Sequence, residues 1–123
     1  MSYHADRFFA AVSVLAGHGH IKQRLIKAYE DNLAEIDEDE LPEEARSSFV
    51  DLRRRMQRVA PANGEGHACA SVRKMSVDEA SECAVMVVAV YSQVAMASEG
   101  EHAALAMDNG ERPGVPPFLV KTN

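Results

Sequence analysis

Residues 76–98 read SVDEASECAVMVVAVYSQVAMAS, and how this stretch folds decides the architecture of the whole chain. Nine consecutive apolar residues run from Cys83 to Tyr91, the most hydrophobic segment in the protein. Val85, Val87, Val88, Val90 and Val94 favour β structure, because branching at Cβ suits a pleated surface. Against a strand stand the length of the stretch, its lack of Gly and Pro, and its Ala and Met content. Ser76 with Glu79 three residues on also forms a capping-box pattern, the signature of a helix start. The segment is therefore expected to be a helix, at about 76–98. At ~100° per residue, Ala80, Cys83, Ala84, Val87, Tyr91, Val94, Ala95 and Ser98 share one face. Asp78, Glu82 and Gln93 mark the opposite face, yet Val85, Met86, Ala89 and Met96 lie on or beside it. A helix this apolar all round is either surrounded by its own chain or docked on something else.

Working outward, the flanking segments supply partners for it. Residues 3–16 form a short helix with Phe8, Val12 and Leu15 on one stripe, and Gly17 is placed as its left-handed terminator. Arg7 followed by Phe8 to Ala16 has the outline of a short leader, but His4 and Asp6 spoil the basic start, so a helix of the fold is expected. A second helix runs from about His20 to Ile36 with Ile21, Leu25, Ala28, Leu33 and Ile36 inward and Lys27 paired with Asp31. The third begins at Pro42, carries Ala45, Phe49, Leu52, Met56 and Val59 at steps of four and three, and stops at Pro61.

Residues 61–66, PANGEG, form a loop turning at Asn63-Gly64. His67–Met75 shows no clear stripe and is expected to run extended and basic into the Ser76 cap. Gly100 is expected to end or kink the central helix, with a further turn or two over Glu101–Asp108 before Asn109-Gly110 stops it. The tail, 111–123, holds three Pro and cannot be helical. Its Phe118-Leu119-Val120 is apolar enough to dock on the body as a strand beside Ser71-Val72-Arg73. The expectation is an all-α fold: a compact bundle of four to five helices around a hydrophobic central helix. Residues 1–110 make a single helical domain and 111–123 an extended Pro-rich tail docked on it.

Composition sets the outer bounds. The chain has 123 residues, 46% hydrophobic and 26% charged, with no Trp and two Cys. One domain of that size folds without staples, and two Cys make no disulfide framework, so a reducing, cytoplasmic setting is expected. No uninterrupted apolar run reaches the length of a membrane span, so no membrane partner is expected. The net charge of −6 alternates along the chain: −6 over residues 1–44, +5 over 45–75 and −5 over 76–123.

Candidate chemistry is sparse. His18 and His20 bracket Gly19, and His67 sits two residues before Cys69. Such His/Cys pairs can supply zinc ligands, but the spacing matches no established ligand pattern. Cys69 with His67 lacks an orienting third group, and no phosphate-binding or nucleophile-elbow motif occurs, so neither cofactor nor catalysis is expected.

Arg54, Arg55, Arg58, Arg73 and Lys74 are the possible nucleic-acid contacts. However, Arg53, Arg54 and Arg55 spread over about 200° of helix surface. No aromatic side chain is interleaved for stacking, so direct nucleic-acid binding is disfavoured. Between Glu30 and Glu44 lie nine carboxylates and no base, including Asp37, Glu38, Asp39 and Glu40.

The reading that results is a small, non-catalytic interaction or regulatory protein with a protein partner. It works through helix-mediated contacts, with Val85, Met86, Ala89, Met96 and Asp37 to Glu40 as the partner interface, and self-associates as a homodimer. One alternative is an acidic inhibitor or adaptor that mimics nucleic acid toward a basic nucleic-acid-handling partner, of the anti-defence type. Another is a small metal-binding protein.

Overall fold

The structure, a computed structural model, describes residues 3–61 and 64–108, with side chains in the last helix as far as Ser98. It is all-helical: α1 (Tyr3–Leu15), α2 (Ile21–Asn32), a 3₁₀ turn at Glu38–Glu40, α3 (Glu43–Met56), α4 (His67–Arg73) and α5 (Val77–Asp108). No strand occurs among the described residues. One apolar cluster draws on every α-helix, with Phe8, Leu25, Phe49, Leu52, Val72, Val87 and Val90 all fully buried. Phe8 and Phe49 meet edge to face at its centre, ring centroids 5.5 Å apart. Aromatic pairs prefer that geometry because the positive ring edge meets the negative face.

The capping box forms as its spacing predicts. Glu79 N–H donates to Ser76 Oγ at 3.0 Å, and Ser76 N–H donates to Glu79 Oε1 at 2.9 Å. From there α5 continues for 32 residues, about 48 Å at ~1.5 Å per residue. Gly100 neither ends nor kinks it into two elements, which corrects the sequence expectation. A glycine inside a long helix costs about 1 kcal/mol, too little to break it alone. The inward face of α5 is Ala80, Cys83, Val87, Val90 and Val94.

Arginines lock the packing by satisfying helix ends. Arg7 of α1 donates to the Asp31 and Asn32 carbonyls, at 2.9 and 3.2 Å, at the end of α2. Arg24 of α2 returns the favour to the end of α1, donating to the carbonyls of Leu15 and Gly19. The last carbonyls of a helix lack internal partners and carry partial negative charge, so a guanidinium there is doubly favourable. Arg53 of α3 holds the far side of the α2 terminus, donating to the Leu33 and Ala34 carbonyls at 2.9 and 3.1 Å. Its Nε reaches Tyr29 Oη at 3.2 Å and its guanidinium lies 4.5 Å over the Phe49 ring.

Several boundaries differ from the sequence expectation. His67–Arg73 is helical, not extended: Ala68, Val72 and Met75 recur at steps of four and three and are all buried. The stripe was there, but its small residues hid it. Gly19, at φ +107°, takes the left-handed conformation in the α1–α2 turn, and Gly17 does not. The second helix ends at Asn32, because the N–H groups of Leu33 and Ala34 both turn back to the Tyr29 carbonyl. Leu33 and Ile36 are buried all the same. Pro42 is the N-cap of α3 rather than its first residue, and α3 closes at Met56, before Val59. The tail, 111–123, with its Phe118-Leu119-Val120, lies outside the described residues, and Ser71–Arg73 is helix and offers no strand edge.

Candidate interaction surface

Two helices flank α5 and leave one side of it open. Arg55 meets Glu82 at 3.0 Å and Arg58 meets Glu79 at 3.8 Å, so α3 runs antiparallel along one edge. On the other edge Phe9 of α1 lies 6.0 Å from Tyr91, ring centre to ring centre. Near the N-terminal ends of α1 and α3, His4, Pro42 and Glu43 share a cleft with Val94 and Ser98.

Between these edges Val85, Val88, Ala89, Ser92 and Met96 face outward. Val85 is 66% exposed, Met96 68% and Val88 46%. At ~100° per residue they occupy an arc of about 100°, a continuous stripe. From Ala84 to Ser98 the helix carries no charge, and Lys and Arg are absent from all of α5. Phe9, 53% exposed, extends the apolar surface onto α1. Scattered exposed hydrophobics are ordinary, but a contiguous uncharged stripe along a helix is not.

Of the interface residues read from the sequence, Val85, Ala89 and Met96 are on this surface. Met86 is half-buried and packs against the core. Val88, Ser92 and Phe9 were missed. The step from 85 through 88, 92 and 96 was the available signal, since three and four residues separate neighbours on one helix face.

By length and composition alone the same helix is long and apolar enough to cross a membrane: the most apolar 18-residue window within Val77–Ser98 has a mean hydropathy of 1.5. Only 28% of its most apolar window is buried in the fold, which is the outward stripe seen another way.

The acidic stretch is largely committed to structure. Asp37 caps the 3₁₀ turn by accepting from Asp39 N–H at 3.0 Å. Glu38 pairs with Arg53 at 3.4 Å, and Glu40 with His4 at 3.1 Å. The side chains of Asp39, Glu43 and Glu44 are exposed.

Nor do the basic residues form a patch. Arg54 pairs with Asp51 at 3.1 Å, Arg55 and Arg58 with carboxylates of α5, and Arg73 with both oxygens of Glu65 at 2.9 and 2.6 Å. Lys74 is exposed beside Arg73. Their charge is balanced locally, which removes most of the field a phosphate backbone would feel.

His18, His20, His67 and Cys69 are not brought into a group that could hold a metal; no cluster of three or more such ligands occurs among the described residues. His18 lines an open cleft of about 400 Å³ with Arg24 and Lys27, but Arg24 is spent on carbonyls and Lys27 pairs with Asp31 at 3.3 Å. Burial pushes the thiols of Cys69 and Cys83 up, so both favour the neutral form. No family model, curated protein or solved structure matches the chain.

Proposed function

We propose that this chain is a small interaction module with a regulatory, non-catalytic role, whose working surface is the outward face of α5 and whose partner is a second copy of itself. The observation that carries this reading is the open stripe of Val85, Val88, Ala89, Ser92 and Met96 between α1 and α3. Burying a large apolar side chain contributes roughly 1.5–3 kcal/mol, and this surface leaves that gain unrealised on three residues per copy. Ala89 and Ser92 at its middle are small enough to let another backbone approach closely. A two-fold contact uses each such residue twice.

A bilayer is the other thing an apolar helix face could meet. Interfacial helices carry Lys and Arg along their polar flanks to meet anionic headgroups. This one is flanked by Asp78 and Glu82 at its start and has neither cation along its length. That charge favours protein over membrane.

Sedimentation velocity across a concentration series tests the reading. The expected result is a mass rising from one chain to two, with a reversible, micromolar dissociation constant. Co-sedimentation with vesicles of phosphatidylcholine and phosphatidylglycerol, at concentrations where the free chain stays monomeric, would overturn it.

A further inference from the structure

We draw no further inference here: the strongest candidate, the cleft between the N-terminal ends of α1 and α3 that His4, Glu43 and Arg46 line against Val94 and Ser98, carries none, because His4 Nδ1 and Arg46 Nε, which lack a partner among the described residues, are sealed from solvent and out of a ligand's reach.

Discussion

The inward and outward faces of α5 are written in the same letters and have opposite fates. Val87, Val90 and Val94 are at most 2% exposed, while Val85 and Val88 on the same helix stand open at 66% and 46%. Nothing in the residues themselves separates the two sets. What separates them is where α1 and α3 lie: Phe8 of α1 and Phe49 of α3 meet in the same buried cluster as the inner valines. Hydropathy along a helix therefore tells how much apolar surface exists, and only the neighbours tell how much of it is already used.

The largest effect breaks the comparison outright. Val87→Asp puts an unpaired carboxylate into the core and is expected to unfold the chain, a cost of more than about 4 kcal/mol. Val88→Asp, one residue away, should leave the melting temperature within a few degrees. Thermal unfolding by circular dichroism checks both, and equal losses would show that the outward face is covered within the monomer.

Next in size is Arg53→Ala. Its side chain is only 16% exposed and makes bonds to the Leu33 and Ala34 carbonyls, Tyr29 and Glu38. Removing it strands acceptors at the end of α2 and is expected to cost about 2–3 kcal/mol in urea unfolding. Arg54→Ala, its exposed neighbour, should cost under about 0.5 kcal/mol. This pair sharpens the lesson: of two adjacent identical residues, one holds the fold through carbonyls of α2 and the other makes only an exposed ion pair with Asp51.

The smallest effects concern the cap that both faces share. Ser76→Ala should cost about 1 kcal/mol, because it removes the oxygen that satisfies Glu79 N–H. The Glu79 carboxyl is held below the usual carboxylate range, first by the Ser76 backbone N–H and further by Arg58, while partial burial pushes the other way. A depressed folded-state value means the unfolded chain takes up the proton first on acidification. The contribution is therefore complete above the ordinary carboxylate range and is lost as pH falls through the folded-state value. Glu79→Gln should show a shallower loss of stability than the parent between about pH 6 and pH 3. Parallel pH curves would contradict the capping role.

Much of the scaffold was legible from the sequence because strong local rules wrote it. The capping box formed as spaced, and Ala45, Phe49, Leu52 and Met56 are all fully buried on the predicted stripe. α4 was not legible, since seven residues with Ala at two inward positions carry little periodic contrast. Arg53 could not be told from Arg54 and Arg55, because its role depends on carbonyls some twenty residues earlier in the chain. The choice of Gly19 over Gly17 for the left-handed position likewise follows from how Arg24 ties the turn. For the surface, Val85, Ala89 and Met96 were read correctly as outward, while Met86 was drawn inward against the core. A helix of uniform hydropathy gives no contrast by which to set that boundary.

The measurement that tests the central claim most directly compares the solution mass of the parent with that of a Val85→Glu/Met96→Glu double variant, by sedimentation equilibrium at matched concentration. Both sites are solvent-exposed, so the variant should melt within a few degrees of the parent. The account predicts a dimer for the parent and a monomer for the variant. A parent that stays monomeric at every concentration, or a variant that keeps the dimer mass, would contradict it.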